Sequence, residues 1–386
     1  MFTKIKDKFE KLIEPVKPVP VGSYQYQGKK DDQLPYRLNL RVEPNGEGIL
    51  ILNASTVLHL NRTAAEYAYH LIQKTPIDQV AQEVAEKYEI SPDEVKHDLA
   101  DFRAQLETII HTPDLDPVTY LDLERVEPYS KKLSAPYRLD CALTYRVSEG
   151  AAPDNAPTYR VKRELTKDEW FTILEKVQQV GVPQVVFTGG EPTLRPDLSD
   201  LISKCEGLGI VSGLLTDGLR FSDKRYMKTI LNSGLDHIML LGAPGEERFW
   251  KSLQNLIADD IAVTVHLTLT LDNLAELQQA LPKLAADGLH SLSLSVADPN
   301  LEKTLSKIQD LAIAQGLSLI WDLPVPYSQY NPITMELKSG GKRLAKGAGN
   351  AWLYVEPDGD VLPAQGINRV LGNLLTDPWS SIWKRR

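Results

Sequence analysis

Apolar positions recur with two different periods along this chain, and the period changes with region. Tyr36–Val42 and Gly48–His59 alternate apolar and polar residues as half-buried strands do, with Pro44-Asn45-Gly46 as the turn between them. Three helices are expected next. Ala64, Tyr67, Ala68, Leu71 and Ile72 share one helical face, Val80, Val84, Ala85 and Tyr88 a second, and Val95, Leu99, Phe102 and Leu106 a third. Each has a start signal. Thr63 with Glu66, and Ser91 with Glu94, have capping-box spacing, while Thr75-Pro76 gives a cap followed by a first-turn proline. Residues 31–113 therefore read as a small winged-helix-like domain. Ahead of it, 1–30 read as an amphipathic helix, with Phe2, Ile5, Phe9, Leu12 and Ile13 on one face, then a proline-rich linker. That helix suits either a membrane surface or its own domain.

Residues 114–134 hold prolines and acids without a period and read as a linker. Beyond them strand and helix alternate. Strands are expected at Tyr137–Thr144, Gln184–Gly189, Val211–Thr216, His237–Leu241, Ala262–Thr270, Ser291–Val296 and Leu317–Trp321. Helices are expected at Asp168–Val180, Leu198–Leu208, Asp223–Asn232, Glu246–Ala258, Leu274–Ala286 and Leu301–Gln315, the first opened by a Thr166/Glu169 capping box. Repeated βα units give a parallel sheet, here an open or partial (β/α) barrel over 135–325, with ligands at the carboxyl ends of its strands.

The stretch Val185–Leu198, VVFTGGEPTLRPDL, ends one such strand. Two glycines there allow dihedrals closed to other residues and a close approach to the backbone. Glu191 is a carboxylate able to accept from an ammonium group. A turn with a carboxylate beside a helix N-terminus accounts for the same tetrapeptide. The full stretch resembles the second strand and turn of radical S-adenosylmethionine (radical SAM) enzymes. The resemblance implies that Gly189, Gly190, Glu191 and Pro192 hold the methionine moiety of S-adenosyl-L-methionine. Thr216-Asp217-Gly218 resembles the family's T-N-G, which adds Thr216 to the implied site, with Asp217 where asparagine is usual.

Residues 51–88, ILNASTVLHLNRTAAEYAYHLIQKTPIDQVAQEVAEKY, resemble PqqD, a peptide chaperone. That implies recognition of a precursor or leader peptide, which adds a strand to an exposed sheet edge and fills a helix groove. A winged-helix module acting only as a brace stays open. DNA binding is disfavoured, because the third helix carries Asp93, Glu94, Asp98 and Asp101 against Lys96 and Arg103, and the chain's net charge is −9.

The radical SAM resemblance fails at one place. The family holds a 4Fe-4S cluster on three cysteines after the first strand, and Leu143-Thr144-Tyr145-Arg146 resembles its lead-in. On that register Val147, Ala151 and Asp154 stand at the three positions. The chain has only two cysteines, Cys141 and Cys205, too few for such a cluster and no disulfide framework. Residues 326–386 tell the same story. Ala351–Trp383 resembles a SPASM/twitch extension through Pro357-Asp358-Gly359, Leu371-Gly372-Asn373 and Ile382-Trp383, yet Ala364 follows Pro363 where that family has a cysteine. A hard cation at Glu149, Asp154 and Asn155 is a remote alternative, and no metal is expected. The seven histidines show no metal spacing, and His266 reads as a satisfied core residue. With no apolar run long enough to span a bilayer and no signal peptide, a cytoplasmic location is expected. The expected protein is a degenerate radical SAM protein that binds a precursor peptide and works beside an intact radical SAM enzyme. The alternatives are an active S-adenosylmethionine-dependent enzyme, through iron-free chemistry or a partner-assembled cluster, and a scaffold without ligand.

Overall fold

The computed structural model describes residues 19–28, 36–52, 56–112, 133–148, 161–259, 261–320, 347–365, 367 and 369–386. The amphipathic helix expected at the N-terminus, most of the 114–134 linker, and the loop positions Glu149, Ala151, Asp154 and Asn155 lie outside them. The chain forms two compact units, Met1–Glu127 and Pro128–Arg386.

The first unit is a four-stranded antiparallel meander followed by three helices: β1 (Gly22–Gln27), β2 (Arg37–Val42), β3 (Gly48–Leu52), β4 (Thr56–Leu60), α1 (Arg62–Gln73), α2 (Ile77–Tyr88) and α3 (Pro92–His111). Two strands differ from the sequence pattern. Gly48–His59 is not one strand but the hairpin β3–β4, with Ile49 opposite His59 and Leu50 opposite Leu58. Folding back sets Leu50 and Leu52 beside Leu58 and Leu60 on one face, so that all four enter one core. Gly22–Gln27, expected in the linker, pairs with β2 and buries Tyr26 in the same core.

Two helix starts also differ. Asn61, not Thr63, caps α1, its Oδ1 accepting from the Ala64 N–H at 2.9 Å. Glu66, freed from any capping role, turns inward, where Lys87 Nζ reaches both of its oxygens at 2.7 Å and the Tyr88 hydroxyl donates at 2.8 Å. Pro76 itself occupies the cap position of α2, and Thr75 Oγ1 instead lies 3.2 Å from His70 Nδ1. Ser91 caps α3 as its pattern implies.

The second unit is built on a ten-stranded sheet. Its parallel part comprises β5 (Arg138–Thr144), β6 (Gln184–Gly189), β7 (Val211–Thr216), β8 (His237–Leu241), β9 (Ala262–Leu269), β10 (Ser291–Val296) and β11 (Ser318–Leu319). Between them run α4 (Lys167–Gln179), α5 (Leu198–Gly207), α6 (Lys224–Leu231), α7 (Glu247–Ala258), α8 (Leu274–Ala286) and α9 (Glu302–Ala314). The Thr166/Glu169 box that opens α4 is complete in both directions.

Alternation along the strands separates two faces. Leu139, Cys141, Val185, Phe187, Leu214, Leu240, Val265 and Leu267 are fully buried apolar residues. The other parity mixes Val186, Leu215 and Met239 with buried Thr188, His266, Ser293 and Ser295.

The C-terminal segment is not a separate sheet. β12 (Trp352–Val355) pairs in parallel with β5, and β13 (Asp360–Leu362) and β14 (Gly372–Asn373) follow antiparallel, so the order is β11-β10-β9-β8-β7-β6-β5-β12-β13-β14. The Pro357-Asp358-Gly359 turn joins β12 to β13, with Gly359 at φ 90°. A closing helix, α10 (Trp379–Lys384), buries Ile382, and Trp383 Nε1 donates to the Leu133 carbonyl at 2.9 Å. Among the described residues no helix is long and apolar enough to cross a membrane. The architecture is the expected α/β fold: a small winged-helix-like unit, then an open, largely parallel βα sheet.

Candidate functional site

The carboxyl ends of β5, β6 and β7 meet at the Gly-Gly-Glu-Pro turn. Gly189 has φ +123°, and a Cβ there would lie 2.1 Å from the Thr144 carbonyl oxygen. A Cβ on Gly190 would lie equally close to the Arg146 carbonyl oxygen. The neighbour that needs these glycines is therefore the chain's own backbone. The Gly190 N–H donates to Thr144 O and the Glu191 N–H to Arg146 O, both at 2.7 Å. The turn is stitched to the segment just after β5, and these two N–H groups are already used.

Glu191 is 2% exposed and links loops. Its Oε1 accepts from the Thr193 N–H at 2.9 Å and the Thr216 hydroxyl at 2.8 Å, while Oε2 accepts from the Asp217 N–H at 2.8 Å. Pro192 opens the 3-10 turn that follows. The five residues singled out in the sequence, Gly189, Gly190, Glu191, Pro192 and Thr216, are thus brought together. Burial, reinforced by the nearby Asp217 carboxylate, pushes Glu191 up to about 7 despite these donors. Asp217, in turn, accepts from the Leu219 N–H at 2.9 Å.

Two further groups from the stretches singled out in the sequence belong to this corner, and their contacts have no local sequence signal. Arg195 is buried, gripping Asp197 through two bonds of 2.8 and 2.6 Å and donating to the Leu165 carbonyl at 2.9 Å. Thr144 contacts Glu164 and accepts from the Arg146 N–H at 3.1 Å. Both tie β5, β6 and the start of α4 into one rigid rim.

The thiols stand elsewhere. Cys141 lies mid-strand in β5 and Cys205 in α5, and both are free and fully buried. Burial raises both thiols well above the ordinary range, the reverse of what a metal-ligating thiolate needs. Val147, at the first of the three family positions, has no donor.

His266 is held by Ser293 Oγ at 2.9 Å on Nδ1 and Ser295 Oγ at 3.0 Å on Nε2, a satisfied interior histidine that burial drives down to about 4. One carboxylate trio among the described residues, Glu356, Asp358 and Asp360, brings its oxygens within 4.8 Å of one another. Each has a partner in or beside the hairpin: Tyr145 OH on Glu356, the Asp360 N–H on Asp358, and Asn373 Nδ2 on Asp360.

Comparison with known proteins follows this geometry. The family model "Radical SAM superfamily" matches residues 141–241, which span β5 to β8 and include the whole turn. The model "Coenzyme PQQ synthesis protein D (PqqD)" matches residues 48–108. Among solved structures, Streptococcus suis SuiB bound to S-adenosylmethionine superposes with a TM-score of 0.58 at 14% identity, over 92% of this chain and 88% of that one. SuiB bound to its precursor peptide SuiA gives 0.57 at 14% identity, over 89% and 86%. At that identity the likeness is one of fold. The chain carries a domain of the radical SAM superfamily C-terminal to a PqqD domain.

Proposed function

We propose that this chain captures a precursor peptide through its PqqD domain and supports that peptide's modification without an iron–sulfur cluster of its own, handing it to an intact radical SAM enzyme. The observation that carries the reading is the state of the two thiols, both fully buried in packing positions, with none elsewhere in the chain. Cluster assembly needs several accessible thiolates. Residues 351–383 are then a SPASM/twitch-like extension that serves as sheet edge and brace.

Peptide capture is supported by β4, an outer strand with no described strand beyond it and with Val57 exposed. Such an edge accepts an extended chain by main-chain pairing. SuiB, of the same fold, has been seen with a precursor peptide and with S-adenosylmethionine. In this chain we assign S-adenosylmethionine a weak site at Gly189, Gly190, Glu191, Pro192 and Thr216. Its ammonium would have to join three donors already on Glu191, and no cluster helps to hold it.

Anaerobic reconstitution with iron and sulfide tests the reading. Iron far below one four-iron cluster per chain is expected, without charge-transfer absorbance. Stoichiometric, EPR-active iron would overturn it. Calorimetry with S-adenosylmethionine on the parent chain and on Glu191→Ala tests the weak site, and equal heats would remove it.

A further inference from the structure

The PqqD unit has a second recognition feature besides its outer strand. A cavity of about 550 Å³ opens among β1, the end of α1, the start of α2 and the middle of α3, and no residue of β4 lines it. Tyr26, Leu71, Ile77, Val80, Leu99 and Ala100 form the apolar part of its wall, and His70 and Thr75 add polar groups. That volume is within the ~300–1,000 Å³ of pockets that bury small ligands.

Its charge is one-sided. Lys74 and Arg103 line it and no carboxylate does, in a chain with 52 acidic residues against 43 lysines and arginines. Arg103 is paired with Glu107 at 3.0 Å. Among the described residues Lys74 is not so paired. It ends α1 in the left-handed conformation, φ 55°, with its ammonium 4.8 Å over the Tyr26 ring. A lysine held at a cavity mouth by an aromatic face suits an anion that brings apolar surface with it. The chain's own segment MFTKIKDKFEKLIE carries four lysines against Asp7, Glu10 and Glu14, so it brings a small net positive charge towards Lys74 and Arg103.

We infer that this cavity takes a second segment of the captured peptide: an aliphatic or aromatic side chain against Leu71, Val80 and Leu99, with an adjacent aspartate, glutamate or terminal carboxylate on Lys74. This rests on the peptide-capture reading and adds the chemistry the peptide must carry. A peptide that spans both β4 and the cavity gains from linkage, because the second contact is intramolecular.

The test is selection of short random peptides by display on the full chain, followed by affinities for three variants. Lys74→Glu reverses the charge at an exposed position. Ala100→Phe fills the cavity from an exposed helix position. Val57→Pro blocks pairing along β4. Selected peptides are expected to place an acid next to a large apolar residue. Lys74→Glu and Ala100→Phe should each weaken them about tenfold, about 1.4 kcal/mol. Selection on Lys74→Glu should instead favour basic residues. Peptides without acid preference that bind both cavity variants at parental strength, yet fail on Val57→Pro, would overturn the cavity assignment and leave capture standing. No enrichment on the parent chain would overturn both.

Discussion

Glu191→Gln isolates what it takes to bury a carboxylate between two loop ends. The substitution keeps the shape but replaces one acceptor oxygen by an NH₂ group. That group cannot accept from the Asp217 N–H, so one buried bond is lost at about 1–3 kcal/mol. In exchange the ionised form need no longer be desolvated. The folded protein holds Glu191 near 7, against an ordinary 4.5. With the folded value raised, its stabilising share is fully present below pH 4.5 and is lost as the pH rises through about 7. At ~1.4 kcal/mol per pH unit, that interval is worth about 3 kcal/mol. The stability of the parent relative to Glu191→Gln should therefore fall by about 3 kcal/mol between pH 4.5 and pH 8. His237 and His266, each held near 4, act the opposite way, but equally in both proteins, and cancel in the difference. Guanidinium denaturation followed by tryptophan fluorescence suits the measurement, because all six tryptophans lie at position 170 or beyond, in the second unit. A difference that is flat with pH, or that widens as pH rises, refutes the reasoning.

The remaining predictions concern packing and the interior histidines. Glu66→Ala strands the Lys87 ammonium and the Tyr88 hydroxyl and should destabilise the first unit by about 3 kcal/mol, read from hydrogen exchange of α1 and α2 amides. Gly190→Ala drives a Cβ to 2.1 Å from a backbone oxygen that cannot yield and should cost the second unit about 3 kcal/mol in denaturant titration. Gly207→Ala, with nothing within 4 Å of the added carbon, should instead stabilise by about 0.5–1 kcal/mol. In a Glu191→Gln background the second unit should lose stability as pH falls from 6.5 through 4, because His237 and His266 are folded in their neutral forms. His266→Gln should flatten that loss.

Sequence period and start signals were sufficient where one element packs on one face. β6, β7, β8 and β10 begin and end where the apolar runs do, and Thr166 with Glu169 marks the start of α4. They failed where two candidates compete locally. Asn61 and Thr63 are both good caps, and the choice was made by Glu66, which is drawn inward by Lys87 and Tyr88 from another helix. The hairpin inside Gly48–His59 was hidden because apolar alternation runs straight across it. β1 was hidden because a strand of tyrosines and glutamines follows a proline run. The Gly-Gly-Glu-Pro turn was legible as a corner. Its wiring was not, since Thr216 and Asp217 come from the end of β7 and Arg146 from beyond β5, contacts that only the assembled sheet creates.

The docking of β12 along β5 has a consequence for biosynthesis. Among the described residues β5 is the first strand of the second unit to leave the ribosome, yet one of its two flanks is covered only by Trp352–Val355, and Leu133, just before it, is clasped by Trp383. Helices and strands from Gln184 onward can assemble during translation, but the strand nearest the Gly-Gly-Glu-Pro corner stays open on one side until Trp352–Val355 has emerged. Chains stalled before residue 352 should present a bare, adhesive strand, and it is they, rather than finished molecules, that a chaperone would have to shield.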